Sequence, residues 1–123
     1  MIQLRIHQEI LDDTLVLSLR GQLDALTSDM LAETSASPTC AAATYIILDL
    51  NRLSLIDSSG VGSVVALLKQ TRARGGDTLV AAVAQQPMEV FKILNLDKSI
   101  KIYETVALAI ADIPKRPSKS EAV

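Results

Sequence analysis

Tryptophan is absent from this sequence, phenylalanine occurs once and tyrosine twice. Modules that stack nucleobases or hold sugars rely on aromatic faces, so this scarcity argues against both. One cysteine, Cys40, cannot close an internal disulfide, and one histidine, His7, cannot build a histidine-based metal site. A lone cysteine also suits a reducing cytosol better than a secreted, disulfide-stapled domain. Long hydrophobic runs are missing too. The longest apolar stretches, such as Leu79 to Ala84, hold six residues; a membrane span needs about 20. Met1-Ile2-Gln3-Leu4-Arg5 has no signal-peptide layout. The expectation is a cytoplasmic protein with no membrane partner. Excess positive charge is lacking as well. The 12 Lys and Arg against 14 Asp and Glu leave a net charge of −2, a poor basis for direct nucleic-acid binding.

What is present is aliphatic. Of the 123 residues, 49% are hydrophobic, enough for one domain with a core of Leu, Ile, Val and Ala. No repeat recurs at a fixed period. From Pro114 to Val123 there are two prolines and three basic residues. The expected organisation is therefore one domain over 1–113 and a flexible C-terminal tail over 114–123.

Alternation marks the start. Ile2, Leu4 and Ile6 are apolar between Gln3, Arg5 and His7, the strand period of two. Asp12-Asp13 signals a turn, and Leu15, Leu17 and Leu19 alternate again, so an antiparallel pair is expected. Gly21 is expected to end the second strand. Asp24 precedes a helical pattern with Leu26, Met30 and Leu31 on one face, and Asp is a favoured N-cap. That helix should fade near Ser35-Ala36-Ser37-Pro38. Tyr45 to Leu50 reads as a central strand buried on both faces, with a loop over 51–56. After Asp57-Ser58-Ser59-Gly60, the residues Val61, Val64, Val65 and Leu68 have helical spacing up to the Gly75-Gly76 stop. Thr78 to Val83 reads as another buried strand. Pro87 opens a helix through Leu94, with Val90, Ile93 and Leu94 apolar. A short strand at Ile100-Lys101-Ile102 and a helix from Thr105 to Ile110 complete the chain.

The predicted order is β-β-α-β-α-β-α-β-α, an α/β fold with a small mixed, largely parallel sheet. If the helix after Asp24 crosses over between parallel strands two and three, their carboxyl ends share one sheet edge. Asp24 and the Asp57-Ser58-Ser59-Gly60 turn then become neighbours, at the edge where open α/β sheets place their sites.

Asp57-Ser58-Ser59-Gly60 has two compatible readings. It is a helix start, with a cap and a glycine for close backbone approach. It also presents hydroxyls where free N–H groups and the helix dipole favour an anion, although Asp57 would oppose a phosphate. Other motifs fail. Gly60-Val61-Gly62 continues to Val65 where a dinucleotide fingerprint has its third glycine, and no Gly-Lys-Ser/Thr is present for a P-loop. Ser63 lacks the Gly-x-Ser-x-Gly elbow. His7, the one candidate base, lies in an alternating strand. Asp24 and Asp49 read as a cap and a strand-end polar residue. No catalytic constellation, cofactor or metal site is implied.

Asp57-Ser58-Ser59-Gly60-Val61-Gly62, with the hydrophobic segment Ile46 to Ile56 before it, resembles the signature of bacterial STAS-domain anti-sigma-factor antagonists. Gly21-Gln22-Leu23-Asp24 is similar to that family's Gly-Glu-Leu-Asp turn, with Gln22 in place of Glu. The Arg74-Gly75-Gly76 break, the strand Leu79 to Val83 and the Pro87 helix follow the family's order. The resemblance covers roughly residues 3 to 112 in layout. It implies a non-enzymatic partner-switching regulator of transcription in the stress response. Its partner is an anti-sigma factor with serine kinase activity. The unmodified antagonist binds that factor and frees a sigma factor. Phosphorylation on Ser58 ends the interaction, and a serine phosphatase restores it. Asp24, Asp57, Ser58, Ser59 and Gly60 are the partner-binding residues so implied. Three alternatives stand beside this reading: a STAS adaptor of a transport system or signalling scaffold without phosphorylation, an enzyme with Ser58 as nucleophile, and a receiver domain phosphorylated on Asp49 or Asp57. The missing base opposes the second. The initial hairpin and the lack of an acidic pair after the first strand oppose the third.

Overall fold

The structure, a computed structural model, describes residues 3–114. Ile2 and the expected tail beyond Pro114 lie outside the described residues. Strands β1 (Leu4–Leu11), β2 (Thr14–Leu23), β3 (Tyr45–Ile56), β4 (Asp77–Ala81) and β5 (Lys101–Tyr103) form one sheet in sequence order. The β1–β2 pair is antiparallel, and each later pair is parallel. Helices α1 (Ser28–Ser35), α2 (Pro38–Ala42), α3 (Ser58–Ala73), α4 (Gln85–Ile93) and α5 (Val106–Asp112) fill the connections. This is the mixed, largely parallel sheet that the alternation predicts. No described helix is long and apolar enough to cross a membrane.

Leu15, Leu17 and Leu19 of β2 and Ile46, Leu48 and Leu50 of β3 pack against Leu31 of α1, Val64 and Leu67 of α3 and Phe91 of α4. On the other sheet face, Val16, Ile47, Leu79 and Ala81 meet Ala109 of α5. Tyr103 donates a hydrogen bond to Asp112, which fastens α5 at that end. Helix α5 packs over β3, β4 and β5.

Three expectations fail for one reason, the phase of the chain. The stretch 51–56 is strand, not loop. Leu50, Leu53 and Ile56 are all buried, a spacing of three that a regular strand cannot place on one face. Two register shifts between β2 and β3 restore that phase. Likewise β2 does not stop at Gly21. The strand bends through it at φ +113° and buries Leu23 beyond. A Cβ at Gly21 would lie 2.4 Å from the Gln3 carbonyl oxygen, so glycine is needed there. Helix faces are shifted too. Leu26 and Met30 are exposed while Leu31 is buried, and Ile93 and Leu94 are exposed while Phe91 is buried. Pro87 does not open its helix. It occupies the third position of α4, where a proline removes no intrahelical donor. The short helix α2, which the sequence pattern had not marked, is capped by Ser37 and closed by Arg74. The Arg74 side chain donates to the Cys40 and Ala43 carbonyls.

If 51–56 is core strand, Leu53→Ala removes a fully buried side chain and should destabilise the domain by about 2–5 kcal/mol. Ser54→Ala, at an exposed neighbour, should cost less than about 1 kcal/mol. Urea unfolding of the two variants compares them directly.

Candidate partner-switching site

Asp57 is the residue on which the site is built. Its extended backbone ends β3 and caps α3, and its carboxylate works in two directions. Oδ1 accepts from the Gly60 amide at 3.0 Å, closing the first turn of α3. Oδ2 accepts from the Ala25 amide at 3.2 Å, reaching the segment after β2. The Asp57 amide in turn donates to the Leu23 carbonyl. The sheet edge inferred from crossover geometry therefore brings Asp24 and Asp57 together through Ala25.

Asp24 is not the cap of an α-helix. Its Oδ1 accepts from the Leu26 amide at 3.0 Å and the Thr27 amide at 3.2 Å, an Asx turn that precedes α1. Buried Thr27 completes this turn. Its hydroxyl accepts from the Asp24 amide and donates to the Gln22 carbonyl at 2.8 Å. Two competing turn residues three apart explain why the helix begins later, at Ser28.

Gly60 is buried, so of the five residues expected at a binding edge it is the one that seats the others from beneath. A Cβ there would lie 2.2 Å from the Leu23 carbonyl oxygen and 2.8 Å from Ile56 Cγ1. The first turn of α3 can press onto the end of β2 only with glycine. Ser58 and Ser59 are exposed, and neither hydroxyl bonds to another described residue. They occupy the first two helical positions, whose backbone N–H groups have no partner within a helix. Asp24 and Asp57 are partly buried.

One contributor escaped the sequence reading. The Gln86 side chain accepts from the Ile56 amide at 2.9 Å and donates to the Ile56 carbonyl at 3.1 Å. It pairs with the backbone just before Asp57 as a neighbouring strand would. A glutamine at the start of an amphipathic helix carries no sequence signal for that contact. Two other candidates lie elsewhere. His7 is exposed on β1, and Asp49 lies within β3 rather than at its end, its carboxylate accepting from Asn51 N and Ser18 Oγ. Among the described residues, no group of three or more His, Cys, Asp or Glu could hold a metal ion.

Comparison with known proteins follows the same lines. The STAS domain family model matches residues 2–109. The chain belongs to the STAS-domain family. An anti-sigma F factor antagonist from Paenibacillus polymyxa is 28% identical over 116 residues, spanning 91% of this chain and 97% of that protein. The solved structure of the anti-sigma factor antagonist SpoIIAA in its unphosphorylated form superposes with a TM-score of 0.72 at 30% identity, covering 86% of this chain and 93% of that one. SpoIIAA of Bacillus in its phosphorylated form gives 0.69 at 29% identity, with 87% and 97% covered. An anti-sigma factor antagonist from Mycobacterium paratuberculosis gives 0.75 at 19% identity, covering 89% and 93%, a likeness of fold.

Two glycines in one helix test the close approach. Gly60→Ala should destabilise the domain by about 3 kcal/mol or more, since backbone must move. Gly62, with nothing within 4 Å of its Cβ position, should accept Ala with a gain of about 0.4–1 kcal/mol. Thermal unfolding of both variants decides it.

Proposed function

We propose that this STAS protein is an anti-sigma-factor antagonist whose binding edge is the joint end of β2 and β3, switched off by phosphorylation of Ser58. The observation that carries the reading is the Asp57 carboxylate. It holds the Asp24 turn against the entry of α3 while the adjoining Ser58 hydroxyl stays exposed and unengaged. Names of the relatives point the same way, and one of them is known in unphosphorylated and phosphorylated forms. The partner is an anti-sigma factor with serine kinase activity, and a serine phosphatase resets the switch. The protein itself acts by binding, in the cytoplasm, rather than by catalysis.

Charge explains how one modification is enough. A phosphate adds about −1.5 to −2 charges. Beside it, Asp57 already spends both oxygens on backbone amides, so it cannot turn away. The edge thus becomes strongly anionic, while first-turn N–H groups hold the phosphate in place. A partner covering Ser58 must desolvate that charge or meet it with cations. A loss of about 4 kcal/mol is roughly a thousandfold in affinity. Exposed Leu26, adjoining Ala25, supplies apolar area for the partner in the unmodified state.

The test is capture of the kinase on unmodified protein, followed by phosphate incorporation into Ser58→Ala and Ser59→Ala. Ser58→Ala should take up none and Ser59→Ala should be labelled. Full labelling of Ser58→Ala overturns the assignment, and a protein never phosphorylated in its cells supports the adaptor reading. Asp24→Asn keeps an acceptor oxygen for its turn and drops one charge. Its Tm should stay within about 4 °C of wild type, while kinase binding weakens at least about tenfold. Unchanged affinity would leave Asp24 a turn residue only.

A further inference from the structure

Arginines occupy one lateral row of the sheet. Arg5 of β1 pairs with Arg20 of β2, and Arg20 pairs with Arg52 of β3. Arg5 and Arg20 share a face because cross-strand partners do. Arg52 joins them through the register shift after Ser18 and Asp49, which leaves both Asn51 and Arg52 exposed at the same level. This face lies opposite α1 and α3, since Leu15, Leu17 and Leu19 point the other way into the core. Helix α5 packs over β3, β4 and β5, and Arg5, Arg20 and Arg52 stay exposed on this face. The row lines a concavity of about 510 Å³, shared with His7, Ser18, Asp49 and Asn51.

Three like charges directly abreast repel one another. Among the residues lining the concavity, the Asp49 carboxylate alone stands against the three. Among the described residues the single ion pair is Arg72–Asp77, and no guanidinium of the row bonds to a neighbour. Asp49, the carboxylate in the concavity, is engaged by Asn51 N and Ser18 Oγ. The chain as a whole carries −2, so this is a local concentration of positive charge against the overall sign.

We propose that this open face binds an inorganic linear polyphosphate anion across Arg5, Arg20 and Arg52. Guanidinium forks match phosphate oxygens in pairs. The outer strands of the row stand roughly 10 Å apart, which suits an extended chain of linked phosphates better than one orthophosphate. The lining holds no Phe, Tyr or Trp, and its dominant feature is three guanidinium groups in a row, which favours the free inorganic anion as the occupant. The site is separate from Ser58 and does not depend on the partner-switching reading.

The experiment follows Tm in tripolyphosphate, with orthophosphate and sodium chloride at matched ionic strength as references. Tripolyphosphate should raise the Tm of wild type by about 5 °C or more, and orthophosphate by less than half of that. Arg20→Gln removes the central charge of the row. Without added anion it should melt at or above the wild-type temperature at low salt, and it should lose most of the tripolyphosphate response. Glu9→Gln, on β1 outside the concavity, should keep the response. Arginine side-chain NMR signals of the row should move on titration. A response retained in Arg20→Gln, or signal changes confined to the first turn of α3, would overturn the proposal, as would no rise over sodium chloride.

Discussion

The two oxygens of Asp57 hold the site together. One closes the entry of α3 on the Gly60 amide, and the other holds the Ala25 amide on the far side of a strand crossover. Neither bond would form if the segments were not already pressed together. Gly60 permits that approach, since a side chain there would enter the Leu23 carbonyl. Gln86 fixes the strand end that Asp57 continues, by pairing with both polar groups of Ile56. A carboxylate accepting two backbone amides is a charge-assisted tie, stronger than neutral pairs. Its effect is to make an exposed serine part of a rigid edge rather than part of a loop.

Irregular strands make this edge possible. In a regular ladder, Leu50, Leu53 and Ile56 could not all reach the core, and β3 would have to end near Leu50. Register shifts against β2 carry the strand six residues further, to Ile56. The same shifts determine where Asp57 emerges and which polar residues stand abreast on the open face. The Asp57 edge and the arginine row thus have a common structural origin in β2 and β3.

This also explains how far the sequence could be read. Alternation in β1 and β2 and the apolar run Tyr45 to Leu50 identify the strands because each period matches its burial. The neighbourhood of Asp24 and Asp57 was legible because a parallel crossover leaves few placements. The segment 51–56 was not, because bulges break the period on which strand reading depends. Leu26 and Met30 mimic a core face at helical spacing, yet Asp24 and Thr27 hold the first of them in a turn outside the helix. Gln86 and the arginine row depend on tertiary placement and register, which leave no local pattern. The resemblance of Asp57-Ser58-Ser59-Gly60 identified the family, while the reason for its glycine required the position of the Leu23 carbonyl.

The central claim is that a phosphate on Ser58 changes the charge of this edge without undoing the Asp57 tie. Amide hydrogen exchange on the kinase-phosphorylated protein against the unmodified protein tests it most directly. The account predicts unchanged protection at Ala25, at Gly60 and along β2 and β3, with differences confined to the first turn of α3. Loss of protection at Ala25 and Gly60, spreading through β2 and β3, would contradict it and make the switch a rearrangement of the fold.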